Sequence, residues 1–307
     1  MGLGIGSCLL KSGVRVDIIA RPGTVAALQR DGLVRKGIFG VHLAEPSQFG
    51  AYGSLEELGR EQYDHILVCT KSFDSLEAAK DLCEHRLLLR EQTGIILFQN
   101  GWGNAETFCR FFDSRRIYSA RVITGFRRGP ENTVTVTVHA DPIHIGSLFG
   151  GDLSKVTAVC ELTAQGDIPC EVTDSIEKDL WAKMLYNCAL NSLGAVLDVA
   201  YGVLAEHEYT RTIMNGIIAE TFAVMKRAGY ETHWPDYNDF LKVFYEKLVP
   251  LTADHKSSTL QDILAGKKTE IDALNGQVIE LGRKHSLSVP YNVVVYNIVK
   301  FIEERKA

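Results

Sequence analysis

The chain has 307 residues, 46 % hydrophobic and 23 % charged, which is long enough for two domains with cores of their own. Its net charge of -5, with no Lys/Arg run longer than a pair such as Lys267-Lys268, argues against nucleic acid or an anionic membrane as a partner. No stretch is apolar enough for a membrane span, and Met1 is followed at once by a Gly-rich helix start rather than a signal peptide. The 7 cysteines include no Cys-x-x-Cys pair, so they read as buried thiols of a reducing cytoplasm, not as zinc ligands or disulfides.

Residues 2–13 read Gly-Leu-Gly-Ile-Gly-Ser-Cys-Leu-Leu-Lys-Ser-Gly, and residues 14–21 alternate and then become continuously apolar. This is the helix and second strand of a dinucleotide-binding unit. In such a unit a first strand precedes a Gly-x-Gly-x-x-Gly turn, and the helix N-terminus holds the pyrophosphate. Gly2, Gly4 and Gly6 are not that fingerprint, because a helix starting after Gly6 has only about a turn and a half before Gly13, too short to cross a sheet. Gly2 as the third fingerprint glycine instead gives a helix of about three turns with a glycine stop at Ser12-Gly13. Gly4 and Gly6 are then small residues for close helix–strand packing. The first strand and the first two glycines are absent from the sequence on this reading. Either the chain starts at an internal Met of a longer reading frame, which is favoured, or the sheet lacks its central strand.

Arg21 ends the second strand. A basic residue there suits a ribose 2′-phosphate and favours NADP over NAD; an ordinary surface Arg before Pro22-Gly23 fits equally well. A helix is expected over 24–32, with Thr24 as cap and Gly32 as stop, then irregular or β structure over 33–42. Residues 65–70 form a short buried strand, with Lys71 at the C-terminal end where open α/β sheets bind ligands. Residues 94–99 form the next, followed by Asn100-Gly101-Trp102-Gly103, whose glycines allow close backbone approach. Another strand covers 116–124. Residues 133–139 alternate strictly and predict a half-exposed strand in an antiparallel edge, paired with 143–146 across Asp141-Pro142. A helix over 153–165 and a short strand over 168–172 close this half.

From Asp174 the pattern is all helical. Over 174–191 it reads as one amphipathic helix, with Leu180, Trp181, Met184, Leu185 and Cys188 on one side. Lys183, Asn187 and Asn191 follow at i, i+4, i+8 and form a polar row along the border of that face. Such a row suits a small polar substrate: the ammonium donates a proton or stabilises an oxyanion, and the amides hold ligand oxygens. The plainer reading is a Lys snorkelling off a core helix beside two solvated amides. Further helices are expected over 209–228, 235–253 with a break at Pro250, 257–264, 269–285 and 290–305. On this pattern Ser258 is an N-cap and Glu270 a dipole-favoured carboxylate in a first helical turn. The histidines show no metal-ligand spacing. The change of periodicity near residue 173 divides the chain into a Rossmann-type domain over 1–173 and a helical domain over 174–307. The fold class is therefore α/β followed by an all-helical C-terminal part.

At these residues the chain resembles the ketopantoate reductase (2-dehydropantoate 2-reductase) family. The resemblance runs from Gly2 onward through essentially the whole chain. It is carried by Ala20-Arg21, Thr70-Lys71, Asn100-Gly101-Trp102-Gly103 and His144-Ile145-Gly146. In the helical half it is carried by Leu180-Trp181 with Lys183, Asn187 and Asn191, by Ser257-Ser258 with Gln261-Asp262, by Thr269-Glu270-Ile271-Asp272 with Asn275-Gly276, and by Val289-Pro290 with Asn292. It implies NADPH-dependent reduction of 2-dehydropantoate to pantoate, on the way to pantothenate and coenzyme A, in the cytoplasm. It places the catalytic roles on Lys183, as general acid, and Glu270. Substrate binding falls on Asn187, Asn191 and Ser258, and cofactor binding on Gly2, Arg21, Lys71 and Asn100. The partners implied are a small-molecule 2-oxo acid and, as a candidate, a second copy of the chain in a homodimer, with no nucleic acid, membrane or metal.

Two departures qualify the pattern. A further asparagine of the family falls on Tyr201, and segment 125–133 is slightly longer than in the commonest members. Tyr201 motivates an alternative 2-oxo acid on the same scaffold. The missing strand motivates a catalytically impaired nucleotide-binding paralogue, against which the retained interior charges Lys183 and Glu270 argue.

Overall fold

The computed structural model describes residues 1–59 and 61–306. The chain forms two compact units. One comprises Met1–Gln99 and Ala105–Ile176; the other comprises Asn100–Asn104 and the residues from Glu177 onward.

The first unit runs α1 (Gly2–Lys11), β1 (Asp17–Ile19), α2 (Pro22–Asp31), β2 (Leu33–Gly37), β3 (His42–Ala44), β4 (Gly50–Tyr52), β5 (Tyr63–Val68), α3 (Ser75–Glu84) and β6 (Leu89–Leu97). After α4 (Asn104–Cys109) it continues with β7 (Ile117–Arg121), β8 (Thr124–Arg128), β9 (Thr133–His139), β10 (Ile143–Gly146), α5 (Ser154–Gln165) and β11 (Cys170–Val172). A five-stranded sheet has the order β11-β10-β7-β6-β5, and β5, β6 and β7 are parallel. β4 and β1 form a separate parallel pair.

α1 is stopped by Ser12 and by Gly13 at φ +78°. It lies over both ladders: Gly6 faces Ile18 of β1, and a Cβ on Gly2 would stand 3.2 Å from Cβ of Cys69, just past β5. The Tyr63 hydroxyl donates to Asp17 at 2.7 Å and ties the start of β5 to the start of β1. In a dinucleotide-binding sheet one strand pairs with both of these neighbours; among the described residues none does. Ile5, Cys8 and Leu9 of α1 share a core with Ile96, Tyr118, Val136, Ile143, Val156 and Val159.

One expected pairing is not observed. β9 does not pair with β10. It lies inside a four-stranded sheet of order β3-β2-β9-β8, parallel to β2 and antiparallel to β8, while β10 pairs with β7 and β11. Alternation reports one buried face, and Val134 and Val136 are indeed buried, but it is silent about the two edges of a strand. The residues left open over 33–42 supply β2 and β3, which give β9 its second neighbour.

An ion pair made by a buried arginine fixes this second sheet. Arg35 of β2 is 0 % exposed. Its guanidinium donates to the Gly166 carbonyl at 2.5 Å and to Cys8 Sγ at 2.9 Å, and pairs with Asp167, which Lys11 also reaches at 2.6 Å. A buried cation needs such partners.

The second unit is helical: α6 (Ile176–Leu197), α7 (Tyr201–Glu206), α8 (Glu208–Arg227), α9 (Tyr237–Val243), α10 (Val249–Leu251), α11 (Ser258–Leu264), α12 (Asn275–Lys284) and α13 (Pro290–Lys306). α6 is not the one-sided helix its first half predicts. From Met184 to Ala195 nearly every side chain is buried, so it is a central helix surrounded by others. α9 passes through a wide turn at Phe244–Leu248 into α10, so Pro250 sits in a first turn rather than breaking a helix. Residues 269–285 are also not one helix. A short turn at Ile271–Ala273 precedes α12, and Leu274 separates them at φ -104°, ψ -105°.

The insert Asn100–Asn104 is held in this unit by aromatic packing. The Trp102 ring stands 4.8 Å from Trp181 and 4.8 Å from Tyr230. The Trp102 amide donates to the Ala273 carbonyl at 2.9 Å. Gly101, at φ +87°, lies against that same carbonyl where a Cβ would collide.

Two outcomes follow for urea unfolding. A Cβ on Gly4 would run into the Phe126 ring, whereas one on Gly6 meets only Ile18 at 3.9 Å. Gly4→Ala is therefore expected to cost about 1–3 kcal/mol, and Gly6→Ala to be neutral or to stabilise by up to about 1 kcal/mol; equal effects would refute this packing. Trp102→Ala should cost about 3–5 kcal/mol, and a loss under about 1 kcal/mol would show that the insert is not anchored by its ring.

Candidate functional site

In the first unit the ends of β5 and β6 meet the start of α1. Gln99, just past β6, donates its amide to Thr70 Oγ1 at 3.1 Å, to the Lys71 carbonyl at 3.3 Å and to Ser75 Oγ at 2.9 Å, which fixes the loop after β5. The Met1 amino group sits at the first turn of α1. Burial lowers its pKa most; the nearby Cys69 thiol opposes that shift, and the Lys71 and Arg128 cations add to it. Burial pushes the Cys69 thiol up to about 11. The Lys71 and Arg128 cations thus stand near the N-terminus of a helix, whose open N–H groups and dipole already favour an anion. Gly2 and Lys71 are both at this place. Arg21 is exposed at the N-cap of α2, two residues beyond Ile19 at the end of the β1–β4 ladder, and the Glu131 carboxylate lies 2.5 Å from where a Cβ on Gly23 would stand.

In the second unit the polar row of α6 is only partly solvated. Asn187 and Asn191 are 8 % and 5 % exposed. Lys183 donates to Asn100 Oδ1 at 2.7 Å, and Asn100 Nδ2 donates to Glu270 Oε2 at 3.2 Å. One amide therefore bridges an ammonium and a carboxylate. Asn100 is held in turn by Asn104, whose amide donates to its carbonyl at 3.0 Å. Glu270 is 6 % exposed and stands before the short turn, not in the first turn of a helix. Its neighbours fix it: the Thr269 amide donates to Glu303 at 2.6 Å, and Tyr296 and Lys300 hold Asp272 at 2.8 and 3.4 Å.

The cap of α11 is Ser257, whose Oγ accepts from the Leu260 amide at 3.0 Å and donates to the Asn191 carbonyl at 3.1 Å. Ser258 is the first helical residue rather than the cap, and among the described residues none bonds its hydroxyl. The Tyr201 hydroxyl donates to Asn191 Oδ1 at 2.5 Å.

The structure thus brings Lys183, Glu270 and Asn100 into one hydrogen-bonded set, with Asn187, Asn191 and Ser258 on the elements beside it. Asn100, expected among cofactor contacts, has both ends of its amide engaged by the two charged residues. The bridge has no signal in sequence spacing, because Asn100 and Glu270 lie 170 positions apart. Trp102, Trp181 and Tyr230 are equally invisible as a cluster. Among the described residues no group of three or more His, Cys, Asp or Glu could hold a metal ion.

Residues 1–163 match the family model "Ketopantoate reductase PanE/ApbA", and residues 175–303 match its C-terminal counterpart. A 2-dehydropantoate 2-reductase from Aquifex aeolicus is 37 % identical over 238 residues, which is 77 % of this chain and 76 % of that protein. The crystal structure of a PanE/ApbA family ketopantoate reductase from Ralstonia eutropha JMP134 superposes with a TM-score of 0.84 at 27 % identity, covering 98 % of this chain and 95 % of that one. A D-mandelate dehydrogenase solved with NADH and anilino(oxo)acetate shares the fold, with a TM-score of 0.85 at 21 % identity over 98 % of this chain and 95 % of its own. With two family models covering its two parts, the chain belongs to the ketopantoate reductase PanE/ApbA family.

Proposed function

We propose that this chain reduces the ketone of 2-dehydropantoate to the alcohol with NADPH, in the cytoplasmic route to pantothenate and coenzyme A. The observation that carries the reading is the bridge from Lys183 through Asn100 to Glu270, beside the two nearly buried amides of Asn187 and Asn191. On this reading residues 1–173 bind the nucleotide and residues 174–307 the substrate, with Asn100 supplied to the second.

The nicotinamide, when bound, supplies the hydride. As the carbonyl carbon accepts it, negative charge grows on the ketone oxygen. Lys183 stabilises that charge and delivers the proton as general acid. Asn100 holds Nζ through its carbonyl end. Glu270 takes the N–H end, so the amide cannot turn its own donors toward the ammonium. Asn187, Asn191 and Ser258 orient the acid. The cations at the start of α1, with Gly2 and Lys71, suit the pyrophosphate, and Arg21 the 2′-phosphate.

A second reading keeps the reaction and changes the 2-oxo acid. The bonding of Tyr201 to Asn191 favours it, because a buried phenol there reshapes the ligand side of the row.

NADPH oxidation with 2-dehydropantoate and a panel of other 2-oxo acids, ranked by kcat/KM, decides between them. Turnover with none of these acids removes both. Lys183→Ala should lower kcat by roughly 10²–10⁴-fold, and a change below about threefold takes Lys183 out of the chemistry. Arg21→Ala should weaken NADPH far more than NADH in the same assay; an equal loss excludes the 2′-phosphate contact.

A further inference from the structure

We infer that Tyr201 is a positioning residue that locks the amide of Asn191 so that its N–H end, and not its carbonyl, is offered to the ligand. This rests on the reading of Lys183, Asn187 and Asn191 as the row that faces the substrate.

An asparagine amide has an acceptor end and a donor end, and its terminal torsion is broad, so a free amide presents either. Asn191 is not free in this sense. The Tyr201 hydroxyl donates to Oδ1 at 2.5 Å, while among the described residues none accepts from Nδ2. The phenol is itself enclosed. Tyr201 is 3 % exposed, with the Tyr186 ring edge-on at 5.7 Å and the His255 ring at 5.2 Å. Tyr186 is not a competitor for the amide, because its hydroxyl bonds Thr252 at 2.5 Å. The main chain of Asn191 is fixed from the other side by Ser257. A phenol with an ordinary pKa of about 10 keeps its proton at neutral pH and is a good donor. Burial of Tyr201, and to a lesser degree Tyr186 beside it, raises that pKa further.

The consequence is chemical. With Oδ1 committed to Tyr201, the Asn191 end of the row, two helical turns from the Lys183 ammonium, offers the ligand hydrogen-bond donors and no carbonyl. The ligand group placed there must bring an oxygen acceptor, such as a carboxylate, carbonyl or hydroxyl oxygen. A ligand N–H donor is excluded from that position. Tyr201 thus selects among ligands through Asn191, and it does not touch the reacting atoms.

The test is a double-mutant cycle in NADPH-coupled turnover of 2-dehydropantoate, or of whichever 2-oxo acid the wild type reduces best. Tyr201→Phe keeps the packed ring and removes only the hydroxyl. We expect it to raise KM about 5- to 10-fold with kcat within about twofold, because Asn191 binds ground and transition states alike. In an Asn191→Ala background the same change should move KM by less than about twofold. Additive effects, or an unchanged KM in Tyr201→Phe, would overturn the positioning role while leaving the functional reading intact. No turnover by the wild type with any 2-oxo acid would bring down the functional reading and this inference with it. Asn191→Asp serves as a second variant independent of the fold of Tyr201→Phe. Its carboxylate accepts from Tyr201 with one oxygen and turns the other, an acceptor, to the ligand. A KM rise above about tenfold supports the donor assignment, and an unchanged KM refutes it.

Discussion

The polar site of the helical unit depends on one side-chain amide. Asn100 joins Lys183 to Glu270 through the two ends of its amide. A direct Lys–Glu pair in a nearly buried place would hold the ammonium by Coulomb attraction and turn its protons away from any substrate. An amide between them gives one proton of the ammonium a neutral carbonyl as acceptor. It also consumes one lone pair of the carboxylate. The arrangement needs Asn100 in a fixed orientation, and much of the surrounding packing serves that need: Trp102 wedged by Trp181 and Tyr230, Gly101 pressed on the Ala273 carbonyl, and Asn104 bonding back to Asn100.

The same device recurs at the other end of the row. Asn191 is oriented by a phenol as Asn100 is oriented by a carboxylate. In both cases a buried group sets which end of an amide is offered. A neutral amide can be oriented at little desolvation cost, whereas a charged group in the same place would have to be compensated. The helix α6 supplies the spacing, and its surrounding helices supply the orientation.

Much of this was legible in the sequence, for identifiable reasons. Helices with a clear period and a glycine or proline boundary, such as α1 with Gly13 and α13 with Pro290, fall where the pattern puts them. The row Lys183, Asn187, Asn191 needs only a helical period to be seen. What was not legible depends on contacts distant in the chain. The partner of β9 is set by β2, about a hundred residues earlier, so local alternation could not exclude a hairpin with β10. The capping role fell on Ser257 rather than Ser258 because two adjacent serines are equivalent until the helix start is known. Glu270 looked like an ordinary first-turn carboxylate because nothing near it announces a break at Leu274. Asn100 carried no sign of its two charged partners.

The assignment of residues 100–104 to the helical unit, with their neighbours on both sides in the other unit, has a consequence for the chain as a covalent object. The polypeptide passes between the units three times, after Gln99, after Asn104 and after Ile176. No single cut can separate them into two intact pieces. A fragment beginning at Glu177 would carry Trp181 and Tyr230 without the ring that packs against both, and a fragment ending at Ile176 would expose that ring to water. Any duplication, permutation or exchange of the helical half between relatives must therefore carry this five-residue loop with it or leave a hole the size of an indole.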